Sequence, residues 1–260
     1  MASRNGLNPK IRGPKGVGFG RALPAPFSFG RGVCPDGADD YFLVPGLVGK
    51  TWPIEGSIEF WATVQTARAQ REFYIYFTDN THMDITAYFS PIPGIESPSH
   101  NITAAKPPGT INYGEKHHYA FMWDASNLYA WSEVVPTQIT SEPLTSALNL
   151  TISAVAISAQ SDGALPSNTK LDEFRIYDKV LSKTELTLND NNGVGNNPSI
   201  TENLLCWFQF ELFEMLDFSA AQDGTDMHLG IRDMSGRNNH AKPFNLDTNP
   251  TSSTYVLNPF

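Results

Sequence analysis

Residues 170–186 read KLDEFRIYDKVLSKTEL, and two periodicities meet inside that stretch. Over 171–178 Phe174 and Ile176 fall on one side and Glu173 and Arg175 on the other, the period-2 signature of a strand. After Asp178 the pattern changes. Ser182 followed by Glu185 forms a capping box, with Leu181, Leu186 and Leu188 available to pack the helix that it starts. That helix can be little more than two turns long, and no other helix is comparably signalled.

Working outward, strand signals recur at short intervals. SIEFWATV (57–64) puts Ile58, Phe60, Ala62 and Val64 on one face, with Glu59, Trp61 and Thr63 on the other. EFYIYF (72–77) is aromatic on both faces, as a strand between two layers would be, and DITAYFS (84–90) follows the turn DNTH. KHHYAFMWD (116–124) and LYAWSE (128–133) form a hairpin about DASN, and LNLTISAVAIS (148–158) is another β-branched run. A polar connector, NDNNGVGNNPS (189–199), precedes LLCWFQFEL (204–212), which reads as a final central strand. Many short strands with turn-rich joints predict an all-β sandwich or barrel. No repeat is visible at a fixed period.

Bulk properties agree. A chain of 260 residues can bury roughly three quarters of its unfolded surface without a disulfide or metal. Net charge is −9, unevenly spread: residues 1–35 carry six basic side chains (Arg4, Lys10, Arg12, Lys15, Arg21, Arg31) and no acid. The rest holds twelve basic and twenty-seven acidic groups. A basic, Gly/Pro-rich extended arm over 1–26 on an acidic body is expected to dock on an acidic surface or to remain solvated. No apolar stretch approaches the roughly 20 residues of a membrane span, and the opening residues lack a secretory apolar core. Cys34 and Cys206 form no metal-type spacing, so both thiols are expected free. Asn101-Ile-Thr103 and Asn149-Leu-Thr151 fit a glycosylation pattern that means little without a secretion signal.

Several phrases together resemble the concanavalin A-like lectin/glucanase superfamily, in its laminin-G-like jelly-roll branch. FSFGRGVCPDGADDYFLVP, with Asp36-Gly37 and Asp40-Tyr41, is similar to the family's opening strand, though extra residues separate Phe29 from Asp36. GSIEFWATV, HHYAFMWDASNLYAW and KLDEFRIYDKVLSKTEL resemble three later phrases. The phrase pair "WxFxE" then Asp, Ser-Gly and an Asn-rich turn with His normally opens such a domain. Here Trp207, Phe208, Phe210 and Glu211, then Asp233, Ser235-Gly236, Asn238, Asn239 and His240, come last, which implies a permuted strand order. The implied organisation is a basic arm (1–26), a two-sheet antiparallel jelly-roll sandwich (27–246, connector 189–203) and a tail (247–260). The insertion LFEMLDFSAAQDGTDMHLG (212–230) has no counterpart in the family pattern.

The chemistry-bearing residues have competing readings. Asp233, Ser235 and His240 could suggest a nucleophilic triad, but residues spaced 2 and 5 apart on one Asn/Gly-rich turn fit a structural turn better. Glycosidases of this fold set acidic residues at alternate positions of one strand. The nearest stretch, with Glu211, Glu214 and Asp217, has a 3-and-3 spacing that suits a helix, and the protein is read as no enzyme. The resemblance adds an expected structural Ca²⁺, though no cofactor is required; candidate donors are Asp233, Asn238 and Asp172, with Asp36, Asp39 and Asp40 as others. For sugar stacking, Trp131, Trp52 and Tyr113, together with Tyr88, are placed on or near loops, while Trp61, Trp123 and Trp207 belong to strands and the core. His117 and His118 point to opposite faces of a strand and cannot readily chelate one metal. GPKGVGFG (13–20) lacks the context of a phosphate loop.

The functional expectation is a non-enzymatic virion structural protein of a tailed bacteriophage, a capsid decoration, fibre or adsorption component assembled in the host cytoplasm. Its arm would contact other virion proteins, its sandwich would bind cell-surface glycans, and it would belong to a homo-oligomer or larger assembly, with no nucleic acid partner. The alternatives are a carbohydrate-binding module of a cell-surface or secreted system, and a glycoside-processing enzyme.

Overall fold

The computed structural model describes residues 32–87, 90–99, 104–160 and 162–246, with the backbone of Leu257–Asn258. The expected arm (1–26), most of the tail (247–260), Tyr88 and the Asn101 glycosylation pattern lie outside the described residues.

The alternating runs become strands. In chain order they are β1 (Gly32–Val33), β2 (Tyr41–Leu43), β3 (Gly56–Thr63), β4 (Arg71–Phe77), β5 (His82–Thr86), β6 (Gly94–Glu96), β7 (Lys116–Trp123) and β8 (Asn127–Ser132). There follow β9 (Thr140–Pro143), β10 (Ile152–Ile157), β11 (Lys170–Tyr177), helix α1 (Lys183–Asp190), β12 (Leu204–Phe208), β13 (Glu214–Asp217), β14 (Met227–Gly230), β15 (Lys242–Phe244) and β16 (Leu257–Asn258). A 3-10 turn at Pro45–Leu47 follows β2.

These strands make two large antiparallel sheets and a ribbon. The eight-stranded sheet runs β16-β1-β11-β3-β7-β8-β9, with β12 also on β11; the six-stranded sheet runs β15-β2-β10-β4-β5-β6; β13 and β14 pair only with each other. The core lies between the large sheets, where facing side chains interdigitate. Phe174 of β11 stacks on Phe60 of β3 at 5.4 Å and meets Phe73 of β4, in the other sheet, at 5.7 Å. Ile58, Phe60 and Ala62 face this core as their alternation predicts. Both cysteines are free thiols, Cys34 half-buried and Cys206 buried.

The outer face of the eight-stranded sheet is covered as well. Helix α1 forms with both halves of its capping box: Ser182 Oγ accepts from the Glu185 N–H at 3.3 Å, and Glu185 Oε2 accepts from the Ser182 N–H at 2.7 Å. Leu181 and Leu186 pack against Met122, Trp131, Tyr177 and Trp207. The face opposite the core is therefore a second buried layer, which explains why every residue of β3 is buried.

Two expectations about the last apolar run need correction. β12 ends at Phe208 rather than 212, because Phe210 takes a left-handed φ of 53° that a continuing strand does not tolerate. Nor is it central. It occupies one edge of β11 over Phe174–Tyr177, end to end with β1, which uses the same edge at Leu171. The Trp207 and Tyr41 runs accordingly belong to different sheets of one sandwich, meeting where Phe42 and Phe210 approach to 5.6 Å.

Candidate functional site

The turn at 233–240 is built around one carboxylate. Asp233 Oδ1 accepts the N–H of Trp207 (3.0 Å) and of Ser235 (2.9 Å), while Oδ2 accepts the Ser235 hydroxyl (2.8 Å) and the Asn239 N–H (2.9 Å). His240 Nδ1 in turn accepts the Asp233 N–H at 3.1 Å, which places the ring proton of the neutral imidazole on Nε2. Burial pushes the His240 pKa down, so the neutral form is favoured. Asn238 and Gly236 take the positive φ values, 58° and 80°, that the loop requires. Ser235 has no His to activate it, and the structural-turn reading holds.

That turn walls a groove of about 410 Å³, closed on its other sides by the Pro45–Leu47 turn and by the loop after β13. The 212–230 insertion, which the family pattern leaves unexplained, supplies this loop. Along the groove Lys50 Nζ donates to Asn239 Oδ1 at 2.9 Å, and Asn239 Nδ2 donates to the Leu205 carbonyl at 2.8 Å. Arg237 is anchored through Nε and Nη2 to the carbonyls of Leu204 and Glu202, both at 2.7 Å. Half-buried Phe218 meets His240 edge-on at 6.1 Å, beside Ser219 and Gln222. Gly46 permits the close approach of the two walls, since a Cβ there would lie 2.8 Å from Asn239 Oδ1. Fixed amide, hydroxyl, ammonium and guanidinium groups around partly apolar walls suit a polyhydroxylated ligand.

A smaller concavity of about 280 Å³ on the outer face is lined by Met122, Tyr129, Ile139, Ser141 and Val180. The Tyr129 hydroxyl is spent on Asp124 Oδ2, which it bonds at 2.5 Å, so this surface offers little directional chemistry.

The residues singled out for sugar stacking are not assembled here. Trp52 and Trp131 are both 0% exposed. Trp52 stacks on Trp123 at 5.0 Å inside the core, and Trp131 Nε1 donates to the Pro136 carbonyl. Neither can present a face to a ligand, because proximity to a loop does not bring a ring to the surface. Tyr113 is exposed but does not line this groove.

The metal candidates divide similarly. Asp233 has committed both oxygens to the turn, and Asn238 beside it is exposed. Asp172 is buried on β11, where burial and the neighbouring Glu173 charge push its pKa up to about 10, leaving a neutral acid that makes a poor cation ligand. These three are not a donor set. Asp36, Asp39 and Asp40 are different: their ligand oxygens all lie within 4.8 Å of one another, in the link between β1 and β2. Three close carboxylates are the kind of hard oxygen donors that Ca²⁺ takes, and here Asp40 Oδ2 and Asp36 Oδ1 also accept the N–H groups of Asp36 and Ala38, at 2.9 and 2.7 Å.

Within the acidic stretch 211–217, where a helical spacing was expected, Glu214–Asp217 folds as a strand that pairs in register with Met227–Gly230. On a strand, positions 214 and 217 point to opposite faces. Glu214 is engaged by Arg232, and Asp217 accepts N–H bonds from Ser219 and Gly224. Another strongly perturbed acid, Glu59, lies in the buried outer layer. Glu59 is surrounded by Arg175 Nη1 (2.9 Å), Tyr177 OH (2.7 Å), Asn189 Nδ2 (2.8 Å) and His118 (3.3 Å). Burial alone would raise its pKa, but these partners overcome that and hold it at about 2. A bulge at Asp172–Glu173, with Glu173 at φ 51°, turns both side chains outward, and Glu173 accepts from Trp207 Nε1 at 2.6 Å.

No protein-family model and no curated protein sequence matches the chain. Solved structures do. A Bacteroides ovatus protein provisionally assigned to carbohydrate binding superposes with a TM-score of 0.54 at 12% identity, over 82% of this chain and 57% of its own. The chain thus spans little more than half the length of that protein. Tailspike protein 2 of a bacteriophage of Escherichia coli O157:H7 gives 0.47 at 12% identity, covering 68% of this chain and 26% of that one. Domains LG4-5 of the mouse laminin alpha1 chain give 0.44 at 9% identity, covering 63% and 45%. With the sheet order above, the first likeness shows the fold, a jelly-roll sandwich of two antiparallel sheets.

Proposed function

We propose that the chain is a glycan-binding module without catalytic activity, carried on a virion surface, and that the Lys50–Asn239–Phe218 groove holds the sugar. The groove carries the reading, because it joins fixed polar groups to apolar surface at the place where an insertion departs from the family pattern. The non-enzymatic part is supported by the engagement of Glu214 and Asp217 in local bonds and by their opposite facing. The virion setting rests on the charge segregation, six basic and no acidic residues in the first 35 against an acidic remainder. A carbohydrate-binding module of a cell-surface or secreted system is the second reading, favoured by the likeness to the Bacteroides protein, and it would use the same groove.

The test is a glycan array followed by calorimetric titration of the best hit. Lys50→Ala and Gln222→Ala should each weaken binding about tenfold, the ~1.4 kcal/mol expected for one directed polar contact, with the melting temperature unchanged. Undiminished binding in both variants overturns the groove assignment. Copurification with virus-like particles, lost on deleting residues 1–26, tests the setting. Ca²⁺ at Asp36, Asp39 and Asp40 is also proposed: added Ca²⁺ should raise the melting temperature of chelator-treated protein, and Asp39→Asn should abolish the rise.

A further inference from the structure

The β13–β14 ribbon carries a surface that meets the groove only at Asp217. Its register pairs Met215 with Leu229 and Asp217 with Met227, so these four side chains share one face, while Glu214, Leu216 and His228 share the other. Leu216 is 3% exposed, holding its face against the body, but Met215, Met227 and Leu229 are 56%, 43% and 42% exposed. Three large apolar side chains grouped on one face differ from the scattered single ones that need no explanation.

The edge beside that face is open too. β13 has no strand partner other than β14 among the described residues. The bond from the Phe218 N–H to the Asp226 carbonyl fixes which positions face β14; by antiparallel alternation, the N–H and C=O of Met215 and Asp217 point away from it. An open edge of this kind is a template for an added strand.

Charge and sequence pattern select the occupant. Residues 211–230 hold five acids and no Lys or Arg, whereas residues 1–35 hold six basic groups and no acid. Between Pro14 and Pro24, the run KGVGFGRAL (15–23) alternates strictly: Val17, Phe19, Arg21 and Leu23 occupy odd positions, and Gly16, Gly18, Gly20 and Ala22 even ones. That is a strand pattern with one side-chain-bearing face and one nearly bare face.

We propose that residues 15–23 of one copy add as a third strand to the outer edge of β13 in a second copy. Val17, Phe19 and Leu23 would cover the Met215–Leu229 face, and Lys15 and Arg21 would answer the surrounding acids. A second copy is the partner because two acidic bodies repel each other, and an exchanged basic arm is what lets them associate. This inference goes beyond the glycan reading and does not depend on it.

The test uses the full chain, with mass measured by light scattering across a concentration series. Concentration-dependent self-association is expected, weakened at least tenfold by Phe19→Asp and equally by Met215→Asp, and reduced by salt. Lys50→Ala should associate as the parent does, which separates failure of this inference from failure of the groove reading. Unchanged melting temperatures in the Asp variants show that the fold is intact. Hydrogen exchange should show the Met215 and Asp217 amides protected only in the associated form. A chain monomeric at every concentration, association indifferent to both Asp variants, or Met215 protection independent of concentration (the arm held by its own chain) would each overturn the proposal.

Discussion

Asp233 Oδ1 accepts the main-chain N–H of Trp207 at 3.0 Å, tying the turn at 233–240 back to a strand 26 residues earlier. The same carboxylate holds Ser235 and Asn239, so one side chain fixes both the shape of the turn and its place on β12. Asp233→Ala leaves buried N–H groups unpaired and should cost about 2–4 kcal/mol in urea unfolding. It should also loosen the groove wall at Asn239. A loss under about 0.5 kcal/mol, the size of an ordinary surface substitution, would show that the turn is held by other means.

The Glu59–Arg175 pair sets the acid limb of stability. Although burial works against its charge, the Arg175 guanidinium and its other partners bring Glu59 from 4.5 to about 2. A folded-state pKa below the unfolded one contributes stability above pH 4.5 that is lost as pH falls toward 2. Glu59→Gln removes that dependence but leaves buried Arg175 with Glu173 as its remaining carboxylate partner, at 3.0 Å, at a cost of about 3 kcal/mol near neutral pH. Unfolding curves from pH 2 to 7 on both proteins check the two halves separately.

Glu72 has the opposite sign. Burial raises its carboxyl from 4.5 to about 8, against hydrogen bonds such as that from Thr169, and Asp172 is raised to about 10. Raised acids favour the fold below their unfolded pKa, and the benefit is lost as pH climbs through the folded value. The melting temperature should therefore fall between about pH 5 and 9 for the parent. Glu72→Gln, which keeps the shape and cannot ionise, should flatten part of that fall. A parallel pH profile for the two proteins would mean that Glu72 is charged in the fold.

Local patterns were legible where one element decides the outcome. The β11 alternation and the Ser182–Glu185 box lie within a few residues of each other, and the structure places both as read. The inward turn of Phe174 and Ile176 followed from period alone. What the sequence hid was the second layer: Glu173 and Arg175 face away from the core, yet both are 1% exposed, Glu173 held by Trp207 and Arg175 by the Asn196 carbonyl of the connector. Trp52 and Trp131 misled for a related reason, since sequence distance from a turn says nothing about what packs over a ring. The groove draws on residues near 46–50, 217–222 and 237–240, and no local pattern joins three such segments. Its one available signal was the 212–230 insertion, which stood out from the family pattern without revealing its partner.

Gly46 offers the sharpest check on the groove. Its φ is not among the positive values, so an added methyl group meets no backbone penalty there. The obstacle is space: a Cβ would sit 2.8 Å from Asn239 Oδ1 and 3.1 Å from Asn239 Cα. The amide can rotate but the Cα cannot yield without moving the turn, so Gly46→Ala should push Asn239 off Lys50. Sugar binding should fall about tenfold or more, as expected when a site's polar groups lose their geometry, while the core and its aromatic near-UV signal stay unchanged. Crosspeaks of Asn239 and Lys50 should shift in the variant's amide spectrum. Full binding retained alongside those shifts would mean that the sugar is held elsewhere on the sandwich.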